Sequence, residues 1–159
     1  MRSLRRPTKF TLAAIFTFLA VSFFVTQGPA AVPVKQPVND TAGVAIHGYD
    51  PFAYFTEHEA VRGDANILFV FDGIIYQFSS EENLELFRAD PLAYLPEFGG
   101  FSVFGIAKGK TYDTDPTAFD IIDGRLYLSR NEKVLGLWQS NPEGYISSAS
   151  RNWCELQLN

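Results

Sequence analysis

Two apolar runs, Ile67–Phe71 and Ile74–Phe78, are separated only by Asp72-Gly73. Asp-Gly between such runs is a strong hairpin signal, because both central residues of a type I′ turn need positive φ. Ser79-Ser80-Glu81-Glu82 follows at once, with Ser79 and Glu82 at capping-box spacing, so a helix is expected directly behind the hairpin. Asp90-Pro91 restarts a second short helix, and Gly99-Gly100 ends it. Neither run alternates, which predicts strands covered on both faces by helices from elsewhere in the chain.

Shifting the chain by 51 residues brings a second copy of this unit into register without a gap. Asp72-Gly73 falls on Asp123-Gly124, Tyr76 on Tyr127, Leu84 on Leu135, Leu86 on Leu137 and Phe87 on Trp138. Asp90-Pro91-x-x-Tyr94 falls on Asn141-Pro142-x-x-Tyr145. Residues 66–98 and 117–156 therefore read as an internal hairpin-helix-helix repeat. The expected class is α+β: a small antiparallel sheet made from two β-hairpins, with helices packed across it. [Asp/Asn]-Pro-x-x-[Tyr/Phe] also starts at Asp50 and Asp115, and its recurrence is read as helix capping with ring packing. Ile146, Ala149, Trp153 and Leu156 form a helical stripe that docks the C-terminal helix on the core. Between the units, Phe101–Lys110 is expected to run as a strand into a basic loop at Lys108 and Lys110. It lacks the spacing of a phosphate loop.

The first 31 residues look like an export signal: Arg2, Arg5, Arg6 and Lys9, then Phe10–Val25 without a charge, then Gly28-Pro29-Ala30-Ala31. The apolar run is shorter than the ~20 residues a spanning helix needs, so cleavage is favoured over a retained anchor. Periplasmic or secreted location follows, with an N-terminal membrane anchor as the alternative. Residues 32–41, with two prolines, read as a linker, and 42–159 as the folded domain. Without the signal, nine basic residues face eighteen acidic ones, which argues against nucleic acid and anionic membranes as partners. The single cysteine, Cys154, excludes an intramolecular disulfide and reads as a small apolar filler.

Gly48-Tyr49-Asp50-Pro51-Phe52-Ala53-Tyr54-Phe55, Tyr76-x-Phe78-x-Ser80, Asp90-Pro91-x-x-Tyr94 and Gly99-Gly100-Phe101 together resemble an exported, stand-alone protein of the YHS-domain family, related to TRASH-type metal modules. The resemblance spans roughly Val44 to Trp153. It implies metal binding through cysteines at the start of the helix behind the hairpin, in a Phe-Cys-Ser-x-x-Cys string. The matching positions here are Phe78, Ser79, Ser80 and Asn83, and the cysteine that many exported relatives keep after the Gly-Gly turn is Ser102. A hydroxyl and an amide do not replace the thiolates that hold zinc or cuprous copper, so no cofactor is expected at that site.

The first expectation is thus a non-enzymatic exported binding module that has lost its metal ligands. It would hold a small ligand or a protein partner with residues drawn from His47, Tyr49, Asp50, Tyr54, Tyr76, Ser79 and Ser102. One alternative is copper or zinc binding or delivery centred on His47, with Asp50, Glu57 or Tyr49 as further ligands. His58 reads as a surface residue. Another is an enzyme of unknown reaction. No nucleophile motif is present, and acid pairs such as Asp113/Asp115 flank turns, where aspartate is expected.

Overall fold

A computed structural model describes residues 36–157; the signal-like segment and residues 32–35 lie outside the described residues. The architecture is α+β. Short strands β1 (Asp40–Thr41) and β2 (Val44–Ala45) precede a 3-10 turn at Ile46–Gly48 and a one-turn helix α1 (Ala53–Thr56). The first hairpin is β3 (Asp64–Phe71) and β4 (Ile74–Phe78), followed by α2 (Glu81–Ala89) and α3 (Pro91–Tyr94). A 3-10 turn at Glu97–Gly100 leads to α4 (Val103–Ile106). The second hairpin is β5 (Asp115–Ile122) and β6 (Arg125–Ser129), followed by α5 (Glu132–Gln139) and α6 (Pro142–Leu156).

The two hairpins start and end 51 residues apart, and the likeness reaches into their detail. Both turns hold Asp and Gly at positive φ, as a type I′ turn demands. The register shifts at Asp64/Leu68 in one hairpin and at Asp115/Phe119 in the other. At each of these starts the aspartate turns its carboxylate back on the backbone N–H two residues on, at Asn66 and at Thr117. Asp115-Pro116 therefore opens a strand and caps no helix, unlike the expectation for that motif. Asn141 does cap α6, through the N–H of Gly144, whereas Asp90 makes no side-chain cap.

The hairpins lie in two sheets rather than one. The first sheet is mixed, in the order β1-β2-β4-β3, with β2 parallel to β4; β5 and β6 form a separate antiparallel pair. Cover differs accordingly. β3 is an edge strand with Leu68 and Val70 exposed (43% and 54%), so its apolar run is covered on one face only. It is β6 that is covered on both. Leu126 and Leu128 belong to the core under the first sheet, with Phe78, Phe87 and Tyr54, while Tyr127 points into a second core with Trp138, Val103, Ile106 and Trp153.

Residues 103–106 are helical where a strand is expected. Val103 and Ile106 are both fully buried, and an i, i+3 pair shares a face only in a helix. Asn39 donates from its backbone N–H to Gly99 O, and β1 pairs with β2, so the folded domain begins inside the stretch read as linker. The C-terminal helix docks as its stripe predicts, through Ala149 and Trp153, but Cys154 is exposed and fills nothing.

Candidate functional site

Asp50 is fully buried, and its carboxylate is the most heavily hydrogen-bonded group at the sequence-predicted site. Oδ1 accepts from the backbone N–H groups of Phe52 (2.9 Å) and Ala53 (3.2 Å), which begins the helical turn α1. Oδ2 accepts from the Ser79 N–H (2.8 Å), Ser79 Oγ (2.7 Å) and Asn83 Nδ2 (2.7 Å). Five donors on two oxygens leave a carboxylate little capacity for anything else. Ser79 is thereby drawn off the helix cap. Ser80 takes that place, its Oγ accepting from Asn83 N–H, so the capping residue lies one position later than the capping-box spacing suggests. The arrangement ties α1 to the start of α2, and it does so at the two positions where the sequence resemblance places metal thiolates. Ser79 Oγ and Asn83 Nδ2 face Asp50 as donors, which is the opposite of what a cation requires of its ligands.

His47 lies elsewhere, in a partly exposed relay. Its Nε2 is 2.8 Å from Asp113 Oδ1 and its Nδ1 3.2 Å from Thr41 Oγ1. Asp113 Oδ1 also accepts from Asn39 Nδ2 (2.9 Å) and from the Thr114 N–H (2.7 Å). Partial burial alone would raise the Asp113 carboxyl; the hydrogen bonds from Asn39, His47 and Thr114 outweigh it and hold the group below the usual carboxylate range. Ile46 and His47 both sit at positive φ (50° and 51°), costly for side-chain-bearing residues and above all for a β-branched one. The relay holds that bend and fastens β1 to the domain. Both ring nitrogens are engaged, and Asp50 is turned away toward Ser79.

The other expected residues separate further. Tyr49 lies under the Arg62 guanidinium, 4.9 Å from ring centre to Cζ. Tyr54 is fully buried, donates to Pro116 O (2.9 Å) and packs edge-on against Phe119; burial, with the Tyr49, Asp115 and Asp50 charges adding to it, pushes its hydroxyl well above the usual tyrosine range. Ser102 is buried, with its Oγ lacking a hydrogen-bond partner among the described residues. Asp50 and Ser79 are joined by hydrogen bonds, and Tyr54 and Tyr76 share the first core with Tyr49 packed against it. Among the described residues no three His, Cys, Asp or Glu side chains gather as a metal site would need.

A concave surface does exist, away from Asp50, Ser79 and His47. A groove of about 550 Å³ runs between the tip of the first hairpin, the α3–Gly99 segment and α6. Its apolar walls include Phe71, Ile74, Tyr76, Leu92, Phe98 and Trp153, with Asp72 and Glu97 as acidic groups and Gln36 and Pro37 closing one side. The size is that of a small-ligand site. Tyr76 is the one expected residue that lines it; burial first, and the nearby Asp72 second, push its hydroxyl up to about 12. Glu97 also takes a 2.9 Å ion pair from Arg125, which leaves Asp72 as the acidic residue of the rim that makes no ion pair with a described residue. Phe98 reaches the groove because its backbone, like that of Gly99, adopts positive φ, and a Cβ at Gly99 would collide with the Pro37 carbonyl oxygen. The sequence marks Tyr76 as a strand aromatic but does not single out Phe98, and the meeting of Phe98 with Trp153, 55 residues on, depends on how α6 docks. Comparison with known protein families, curated proteins and solved structures yields no match to this chain.

Proposed function

We propose that this protein is a non-enzymatic, exported binding module of YHS type that has lost the family's metal ligands and holds an apolar ligand in the groove walled by Tyr76, Phe98 and Trp153. One observation carries the reading. Asp50 takes five hydrogen bonds at the positions where the resemblance would put thiolates, so that place serves as an internal brace rather than a ligand site. The groove is a concave surface with the dimensions and aromatic lining of a binding site.

Two measurements test it. Calorimetric titration with zinc and with copper should show no tight one-to-one uptake; tight binding that Ser79→Ala or Asn83→Ala abolishes would sink the lost-site reading. A neutral apolar fluorophore such as Nile red should bind at one equivalent and be weakened by Leu92→Asp. Leu92 is 74% exposed at the lip of the groove, so the substitution leaves the fold intact. Indifference of the dye to Leu92→Asp would remove the groove from consideration.

A further inference from the structure

Tyr76 is only 4% exposed, yet its hydroxyl makes no hydrogen bond with any described residue. Tyr54, the other buried tyrosine of the same core, donates to Pro116 O (2.9 Å). A buried phenol ordinarily has a partner, and Tyr76 lines the groove, so the groove is the side from which one would come. Asp72 stands beside it in the positive-φ hairpin turn, close enough for its charge to act on the Tyr76 hydroxyl. Asp72 makes no ion pair with a described residue, whereas Glu97, the second acid of the groove, is paired with Arg125. No lysine, arginine or histidine is among the described residues that line the groove.

We propose that the groove takes an amphipathic amine, its ammonium head held between the Asp72 carboxylate and the Tyr76 hydroxyl and its apolar body lying along Leu92, Phe98 and Trp153. The inference rests on the reading of the groove as the ligand site and adds the charge of the ligand's head. An ammonium group carries three donors and no acceptor; the carboxylate takes one of them as a charge-assisted bond and the phenol oxygen takes another. A carboxylate head on the same apolar body would meet Asp72 and Glu97 as like charges.

The test uses the full chain, with Nile red as reporter and phenylbutylamine, phenylbutanol and phenylbutyrate as competitors that share one body. The amine should displace the dye about threefold to tenfold more effectively than the carboxylate, with the alcohol between. That is the range for one partly exposed charge counted as attraction against repulsion. Asp72→Asn should remove most of this preference, and asparagine suits a type I′ turn, so the hairpin keeps its shape. Glu59→Gln changes the net charge equally at an exposed position outside the groove lining, and should leave the preference intact. Tyr76→Phe should weaken the amine about threefold while its ring still fills the core. Equal displacement by amine and carboxylate would overturn the cationic seat. So would a preference that Glu59→Gln lowers as much as Asp72→Asn, or an amine affinity that Tyr76→Phe leaves unchanged. In each of these cases a dye still weakened by Leu92→Asp would leave the groove reading standing. Dye binding that ignores Leu92→Asp would overturn both.

Discussion

Trp138 donates its indole N–H to Ser129 Oγ across 2.7 Å, and the residues 51 positions earlier, Phe87 and Phe78, hold their rings 5.1 Å apart. The same strand–helix contact is thus made by two rings in the first unit and by a hydrogen bond in the second. An indole is larger than a phenyl ring and brings a polar N–H, so the facing strand position becomes small and accepting.

Ser129→Ala should strand a buried indole N–H. The expected loss is about 1–3 kcal/mol of unfolding free energy, read as a lower urea midpoint with an unchanged slope. The double variant Ser129→Ala with Trp138→Phe should recover part of it, since both polar partners are then gone. No recovery would mean that indole volume, rather than the hydrogen bond, is what matters.

Asp50→Ala should be among the most damaging single changes. It strips the acceptor from the N–H groups of Phe52, Ala53 and Ser79 and from two side chains. Each buried donor left without an acceptor costs about 1–3 kcal/mol, so the loss of all five approaches the whole stability of a domain this size. Asn83→Ala removes one donor of five and should cost less, about 1–3 kcal/mol. Thermal melts of the two variants side by side decide the ranking.

Ser102→Ala is expected to leave stability unchanged or raise it. The buried Oγ carries a desolvation cost with no hydrogen bond to offset it. A fall of more than about 1 kcal/mol in chemical denaturation would show that the hydroxyl has a partner, an ordered water being the obvious kind.

Two pH limbs follow from the titrating groups. Asp113 has a native carboxyl pKa below its unfolded value, so its contribution is present above the unfolded value and is lost as pH falls through the native one. Asp113→Asn should flatten the acid limb of a stability–pH profile, and added salt should shrink the effect because the side chain is 66% exposed. Tyr76 runs the other way. Its hydroxyl is raised to about 12, so its contribution is full below the unfolded value near 10 and fades as pH climbs toward 12. Tyr76→Phe keeps the ring and should flatten the alkaline limb, followed by far-UV circular dichroism.

Local chemistry was legible in the sequence and long-range convergence was not. Asp72-Gly73 and Asp123-Gly124 announced both hairpins because the turn conformation is decided by two residues. The stripe from Ile146 to Leu156 announced the docked helix for the same kind of reason. What failed was partner choice. Capping-box spacing points Ser79 to the helix end, because a buried carboxylate 29 residues away does not enter a local pattern. His47 reads as a candidate ligand and Asp113 as a turn residue, and nothing local joins two side chains 66 positions apart. Val103 and Ile106 could have been recognised as helical from their spacing, but two apolar positions in four residues do not separate helix from strand.

Strand β6, with Leu126 and Leu128 in one core and Tyr127 in the other, denies the two hairpin units any independence. Neither unit can open without uncovering a wall of its neighbour, so amide protons along 126–128 should exchange with solvent only through global unfolding. The first unit cut free after residue 110 would lack Leu126 and Leu128 and would stay unfolded or associate. The two hairpins belong to a single cooperative body, in which β6 is part of the interior.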